Sequence, residues 1–160
     1  MGTAPTVRRA VPDDAESFAA CQLACWREAY SSLWGPDRFD ELDPAGLAEL
    51  RRSELEAGTA EHLLAEEGGE VIGIAIAGPT RDDDAPTELE LYAIYVRAAS
   101  QNSGVGATLL EEATAGRPVS LWTYRDNARA TAFYVSHGFI PDGEERNDSE
   151  GILEIRMVRR

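Results

Sequence analysis

The chain has 160 residues, of which 43% are apolar, and it has a formal net charge of -14 at pH 7. This length and apolar content fit a single domain, residues 1–160, with a well-buried core. The charge argues against nucleic acid and anionic membranes as partners, because both bind basic surfaces, and it favours cationic small molecules or basic protein segments. No apolar run reaches 18 residues and no secretory leader is recognisable, so we expect a cytoplasmic location.

Helix start signals are clearest in the first third of the chain. Asp13 and Glu16 have the spacing of a capping box, which predicts a long helix reaching Tyr30. Asp43 followed by Pro44 is typical of a second helix start. We therefore predict a strand at 7–11, a helix that starts near 13, reaches Tyr30 or beyond and is broken at 35–36, and a helix over 43–58.

The pair Gly68-Gly69 is the strongest hairpin signal, and it joins strands predicted at 62–67 and 70–78. The rest of the chain is predicted to contain an acidic loop at 81–86, a strand at 88–96, a helix over 107–115, a strand at 119–124, a helix from 126 or 127 to 138, and strands at 139–144 and 151–158. Strands in series with inserted helices indicate a sheet covered on both faces. The predicted fold is α/β (α+β), a mixed, mostly antiparallel central sheet of about six to seven strands flanked by about four helices.

A glycine-rich turn, Gln-Asn-Ser-Gly-Val-Gly at 101–106, leads from the strand at 88–96 into the next helix. Gly104 and Gly106 allow a tight turn and a close approach of the main chain to a ligand, and the free N–H groups of the helix start favour an anion such as phosphate. A purely structural turn is the alternative. The Gly-Lys-Ser/Thr ending of an ATP loop is absent, and Leu109 stands where a dinucleotide fingerprint needs its third glycine.

Asn127 and Tyr134 are seven residues apart in a predicted helix, so they share a face and stand about 10 Å apart along the axis. Two polar groups on one stripe suit an elongated ligand. Alternatively, Asn127 only caps the helix and Tyr134 packs with its hydroxyl at the surface.

Glu90 lies in a strand whose neighbours are nearly all apolar, so its carboxylate is expected to be partly desolvated. Desolvation raises the pKa of a carboxylate toward the value a general base needs, whereas an arginine partner lowers it and makes the group structural. Glu88 shares the same face and stays an alternative.

Cys21 and Cys25 are four residues apart on one helical face and lack the partners of a zinc site, so we interpret them as buried free thiols and predict no metal. His137 precedes Gly138 at a predicted helix end, where a capping role is favoured over catalysis. His62 points to no function.

Two segments in this order resemble the GNAT acetyltransferase superfamily. They are the strand followed by Gln-x-x-Gly-x-Gly and a helix, and then Asn-x-x-Ala-x-x-Phe-Tyr-x-x-x-Gly-Phe beginning at Asn127. The match covers most of residues 70–140. The segment Cys-Trp-Arg-Glu-Ala-Tyr-x-x-Leu at 25–33 is also similar to a Ser-Trp-Arg-x-Ala-Tyr-x-x-Leu stretch of many bacterial members, whose first helices help to wall the acceptor site.

The resemblance implies that acetyl-CoA is the donor. Its pyrophosphate would lie on the backbone amides of 102–107, its pantetheine arm beside the splayed strands containing Val96 and Leu121, with Asn127 holding the arm and Tyr134 protonating the leaving thiolate. The implied cofactor-binding residues are Ile94, Tyr95, Val96, Gln101, Asn102, Ser103, Gly104, Val105, Gly106, Ala107, Asn127, Arg129 and Tyr134. Members commonly carry a basic residue or glycine at positions 102 and 103 and a proline at 98, so another short acyl-CoA stays an alternative donor.

The implied reaction is an N-acetyl transfer by direct attack of a primary amine, with a backbone N–H near Val96 steadying the oxyanion. An alkylamine with a pKa near 10.4 must first lose a proton, which costs about 4 to 5 kcal/mol at pH 7, and Glu90 is the candidate base, directly or through water. The acceptor walls are expected from Trp26, Tyr30, Trp34 and the loop at 82–84, where aromatic and acidic groups suit a cation, although core packing is the alternative for these aromatics.

The sequence does not identify the amine, which could be a small molecule or a peptide N-terminus. A homodimer is considered only because relatives are frequently dimers. Two other functions stay open: a catalytically silent acyl-CoA-binding regulatory module, and an unrelated phosphate-binding domain.

Overall fold

The computed structural model describes residues 4–160, which form one seven-stranded sheet with helices on both faces. The strands are β1 Thr6–Arg9, β2 Glu61–Glu67, β3 Glu70–Pro79, β4 Leu89–Val96, β5 Val119–Tyr124, β6 Ile140–Asn147 and β7 Leu153–Arg159. The helices are α1 Ala15–Tyr30, α2 Pro36–Asp40, α3 Pro44–Ala57, α4 Val105–Thr114 and α5 Ala128–Ser136, with short 3₁₀ turns at Pro12–Asp14 and Ala98–Ser100. No helix within residues 4–160 is long and apolar enough to cross a membrane.

The strand order is β1-β2-β3-β4-β5-β7-β6, and among the described strands only β4 and β5 run parallel. The predicted mixed, mostly antiparallel sheet is therefore confirmed. The prediction of one domain over residues 1–160 extends three residues beyond the described part and stays a prediction.

Alternate side chains of the central strands enter two separate cores, because successive residues of a strand point to opposite faces. On one face, Ala75 and Ala77 of β3 pack in a cluster with Leu109 of α4. On the other face, Ile74 and Ile76 pack against Phe18 of α1. Helices α1 and α4 thus cover opposite faces, and a ligand can reach both layers only where neighbouring strands separate.

Local signals set most element boundaries as predicted. The Asp43 carboxylate accepts the Gly46 N–H at 3.0 Å at the start of α3, and Gly58 ends the helix with φ of 67°. The predicted capping box of Asp13 and Glu16 is wrong. A 3₁₀ turn precedes α1, and the Asp14 carboxylate accepts the Val11 N–H at 2.7 Å.

Strands β4 and β5 pair only at their beginnings, where 89–91 faces 119–121. In the pairing of β3 with β4, Ala77 faces Leu91 and Ile76 faces Ala93, so Tyr92 is an extra residue and forms a β-bulge. A bulge bends its strand and increases the local twist. Because β5 stays paired with β7 over its whole length, β4 leaves it and a wedge opens between the two strands.

Candidate functional site

A groove of about 1050 Å³ occupies the wedge between β4 and β5. It is bounded by the N-terminus of α4, one face of α5, the free edge of β4 and the last two turns of α1. Gly104, Gly106 and Tyr134 all line this groove. The glycine turn and the phenol predicted from the sequence therefore open onto one continuous space.

The turn before α4 presents a row of unused hydrogen-bond donors. Among residues 4–160, no acceptor is found for the backbone N–H groups of 102–107. The next backbone N–H, that of Thr108, donates to the Gly104 carbonyl at 3.1 Å. Asn102 and Gly104 have φ of 65° and 89°, which turns the chain sharply ahead of the helix. Unused N–H groups at the positive end of a helix dipole are an arrangement that suits an anion.

Gly104 and Gly106 lack a side chain for different physical reasons. Gly104 has a positive φ and open space around it, so its conformation requires glycine. At Gly106 a Cβ would lie 3.3 Å from the ring of Phe133 and 3.7 Å from Val96, so the residue is small to let α4 approach α5 and β4.

Asn127 caps α5, since its Oδ1 accepts the Ala130 N–H at 3.2 Å. The residue also lines the groove. Capping uses the side-chain oxygen, and among the described residues its NH₂ group has no acceptor, so two donors remain for a ligand. The capping alternative and the binding prediction are therefore compatible.

Tyr134 is 8% exposed and packs between Phe133 and Phe139, each with a ring centroid 5.6 Å away. Burial raises the pKa of Tyr134, and proximity to Tyr95 raises it further. Its hydroxyl forms no hydrogen bond within residues 4–160. The side chain is thus held in place by apolar contacts, while its hydroxyl stays protonated and unused at the groove wall.

The free edge of β4 supplies further donors. Arg97 N–H bonds to Ile72 of β3 at 2.9 Å, and because backbone groups alternate sides along a strand, Ile94 and Val96 direct theirs toward the wedge. The side-chain amide of Gln101 donates to the Val96 carbonyl at 3.1 Å and ties the turn to this edge.

Most residues predicted to bind the cofactor line the groove: Ile94, Tyr95, Val96, Gln101, Asn102, Gly104, Gly106, Ala107, Asn127, Arg129 and Tyr134. Ser103 and Val105 do not line it. Val105 is 5% exposed and its side chain enters the core cluster under α4, and the Ser103 hydroxyl donates to the Ser100 carbonyl. Only their backbone N–H groups can face a ligand.

Of the three aromatics predicted to wall the acceptor site, Tyr30 lines the groove, with its hydroxyl 2.8 Å from that of Tyr95. Trp34 packs behind it and donates from Nε1 to the Tyr124 hydroxyl at 3.1 Å. Trp26 stands edge-on to Trp34 at 5.7 Å and is also outside the groove lining. The structure thus places both tryptophans in a layer that supports the wall.

The acidic loop is not a free negative surface. The Asp82 carboxylate accepts the Trp122 Nε1–H at 2.9 Å and pairs with Arg156 at 3.3 Å, and Asp84 pairs with the same arginine at 3.0 Å. Arg156 is only 4% exposed. The loop is therefore fastened to the sheet by a buried cation.

Glu90 is 1% exposed and is enclosed by Arg81. Its Oε1 accepts the Arg81 backbone N–H at 2.9 Å, and its Oε2 accepts the Nη2 and Nε groups at 2.5 and 3.2 Å. Glu88 is exposed, precedes β4 and does not line the groove. Of the two carboxylates, only Glu90 borders the groove, and its oxygens are engaged by donors.

Several residues that line the same part of the groove were missed from the sequence: Arg81, Tyr92, Trp122, Tyr124, Arg146 and Glu154. Trp122 and Tyr124 lie in the predicted strand over 119–124, where alternating aromatics on one face were a usable signal. Arg81 lies in the predicted acidic loop and Arg146 in the polar turn predicted between the last two strands, and no local pattern distinguishes them from solvated arginines.

The predictions for the two cysteines and for His137 agree with the structure. Cys21 and Cys25 are buried free thiols, as predicted. His137 is the C-cap of α5, also as predicted, and its ring lies 4.6 Å from that of Phe133.

Comparisons with known proteins agree with this geometry. Residues 22–139 match the family described as "Acetyltransferase (GNAT) family". "Probable N-acetyltransferase Rv2775" of Mycobacterium tuberculosis is 31% identical over 142 residues, covering 86% of this chain and 80% of that protein. "Aminoglycoside N(6')-acetyltransferase type 1" of Stenotrophomonas maltophilia is 33% identical over 136 residues, covering 82% of this chain and 76% of that protein.

A solved structure has the same fold. The PaiA N-acetyltransferase of Thermoplasma acidophilum, crystallised in complex with coenzyme A, superposes with a TM-score of 0.74 over 99% of both chains at 17% identity.

Proposed function

The chain belongs to the GNAT acetyltransferase family and is an acetyl-transferring enzyme, and on this premise we propose that it moves an acetyl group from acetyl-CoA to a primary amine by direct attack. The observation that carries the donor assignment is the row of backbone N–H groups at 102–107, which have no acceptor within residues 4–160. Four residues of this row line the groove: Asn102, Gly104, Gly106 and Ala107. Main-chain donors bind a diphosphate whatever side chains stand at 102 and 103. The coenzyme A complex of the Thermoplasma relative supports the same donor.

The remaining groove residues fit an extended thioester. The free amide N–H groups of Asn127 suit the polar middle of the arm, and the Tyr134 hydroxyl lies on the same face of α5. The N–H groups of Ile94 and Val96 point into the wedge and can stabilise a developing oxyanion. Acetyl-CoA would supply the activated acyl group, and the protein supplies position, hydrogen bonds and a proton.

We assign proton donation to Tyr134. The ordinary pKa of a thiol, about 8.5, lies below that of a phenol, so Tyr134 stabilises the departing thiolate by donating a hydrogen bond. The proton that the attacking nitrogen loses as the amide forms balances the one given to the sulfur. Because burial raises the pKa of Tyr134, the phenol keeps its proton throughout the physiological range. Nothing else in the described structure competes for its hydroxyl.

Glu90 stays the proposed proton acceptor, with a condition added by its contacts. Arg81 must release one carboxylate oxygen before Glu90 can take a proton, directly or through water. Replacement of Glu90 by glutamine then lowers kcat most at neutral pH, where the amine is protonated, and less at alkaline pH. If the Arg81–Glu90 pair is purely structural, Glu90→Gln leaves the shape of the profile of kcat against pH unchanged.

The function is tested by thermal unfolding and thiol release on one preparation. At 100 times its Kd, acetyl-CoA stabilises the fold by about 2.7 kcal/mol, which raises Tm by roughly 5 to 10 °C in a chain of this size. Gly106→Val places a branched side chain against Phe133 and abolishes most of this shift. Gly35→Val is the matched control, because a Cβ at Gly35 has nothing within 4 Å.

Binding without thiol release across a broad panel of amines would identify a silent acyl-CoA-binding module. The absence of any thermal shift would reject the donor itself. The cytoplasmic location, the lack of nucleic-acid or membrane partners and a homodimer stay predictions.

A further inference from the structure

One half of the groove, lined by Arg81, Glu90, Tyr92, Trp122, Arg146 and Glu154, is called the acceptor half here. Its Tyr92 packs on the face of the sheet that α1 covers, opposite the face that α4 covers. Its charged side chains form two arginine–glutamate pairs, Arg81 with Glu90 and Arg146 with Glu154. These are the polar groups that a second substrate can contact.

Both arginines of the acceptor half are stacked on aromatic rings. The Arg81 guanidinium carbon lies 4.1 Å from the Tyr92 ring centroid, and that of Arg146 lies 4.2 Å from the centroid of Trp122. Their side chains are nevertheless 58% and 44% exposed. Stacking fixes the plane of each guanidinium while its edge stays accessible from the groove.

In the acceptor half, some arginine N–H groups have no hydrogen-bond acceptor, whereas both glutamate carboxylates already accept hydrogen bonds. Arg146 gives only its Nε–H to Glu154, at 3.0 Å, and its two terminal nitrogens have no acceptor within residues 4–160. Arg81 gives Nε and Nη2 to Glu90, and its Nη1 has no acceptor in the same described range. The unused capacity is guanidinium N–H, which is matched by a carboxylate or a similar oxyanion.

The acceptor half offers no unpaired carboxylate to a polycation, because each of its carboxylates has an arginine partner. The neighbouring Asp82, Asp84 and Asp142 share the single cation Arg156, so this cluster stays negative and suits an ammonium group. The chain as a whole carries a net charge of -14, which repels a ligand with a net negative charge. A molecule that satisfies both conditions has an anionic group and at least one ammonium group.

We propose that the amine acceptor is a zwitterion of the amino-acid class, with its carboxylate bound by Arg146 and Arg81. This inference rests on the proposed acetyl transfer and names the acceptor class of the same site. It narrows the cation that aromatic and acidic residues suggested in the sequence to one that also carries a carboxylate.

The test compares amino acids with their amides, for example phenylalanine with phenylalaninamide and lysine with lysinamide, in the thiol-release assay. Conversion to the amide removes the charge at nearly constant size. It also removes the stabilising effect of the carboxylate on the ammonium, so chemistry alone favours the amide and a preference for the acid must come from binding. We expect kcat/KM to favour the acids by at least about tenfold, the factor for one charge-assisted hydrogen bond.

Arg146→Gln should lower kcat/KM for the acids, through KM, by about tenfold more than for the amides. Arg9→Gln is the matched control, since Arg9 is 78% exposed on β1 and pairs with Glu61. Equal rates for acids and amides, equal loss for both in R146Q, or no turnover of either class while acetyl-CoA still raises Tm would overturn the acceptor class. If acetyl-CoA itself fails to raise Tm, the proposed acetyl transfer fails, which is a distinguishable result.

Discussion

Replacement of Tyr134 by phenylalanine should lower kcat by about 10²- to 10⁴-fold, the range for loss of one general acid. The hydroxyl makes no hydrogen bond within residues 4–160, so its removal leaves no buried partner unpaired and should not weaken the fold. The ring contacts with Phe133 and Phe139 are retained. The loss should therefore appear in chemistry and not in the affinity for acetyl-CoA.

Steady-state kinetics and acetyl-CoA titration of the variant provide the measurement. Thr131→Val is the matched control, because it deletes a hydroxyl from the same helix outside the groove, where Thr131 donates to the Asn127 carbonyl at 3.1 Å. If Y134F turns over as fast as the parent enzyme, the proton reaches the leaving thiolate by another route. If both variants lose activity equally, the effect belongs to α5 as a whole.

Replacement of Arg81 by glutamine should lower the free energy of unfolding by about 2 to 3 kcal/mol at neutral pH. Removal of one partner from a fully buried ion pair typically costs about 3 to 5 kcal/mol, because the other charge is left without compensation. Glu90 is 1% exposed and would keep only the backbone N–H of residue 81, but Arg81 is half-exposed, so water entering the vacated space offsets part of the cost.

Urea unfolding of R81Q, Glu90→Gln and the double variant separates the interaction free energy of the pair from the contribution of each residue alone. The double variant should recover most of the loss, since no charge is then left unpaired in the interior. Arg9→Gln should change stability by less than about 0.5 kcal/mol, as surface substitutions usually do. A change in R81Q as small as that of R9Q would mean that Glu90 does not depend on Arg81.

The sequence predicted best those features that adjacent residues determine. The Gly68-Gly69 hairpin, the Asp43-Pro44 helix start and the strand at 119–124 lie where they were expected, since each depends on local backbone preferences. The short helix α2 and the 3₁₀ turn at Pro12–Asp14 were missed, because segments of three to five residues have too few positions to show a period.

The cofactor half of the groove was predicted from the order of two segments, and it needed the family resemblance to give those segments a ligand. The acceptor half was predicted less well. The partnership of Arg81 with Glu90 and the stacking of Arg146 on Trp122 join residues from different strands and loops, and a single sequence contains no signal for such pairs. The bulge at Tyr92, which opens the wedge, likewise depends on the register of β3 with β4.

The central claim is that the backbone amides of 102–107 hold the diphosphate of the donor. Titration of ¹⁵N-labelled protein with coenzyme A, followed by amide chemical shifts, tests it most directly. We predict that the amides of residues 102–107 show the largest downfield shifts and slowed hydrogen exchange. Binding that leaves these six amides unchanged, or titration with no shifts at all, would contradict the claim.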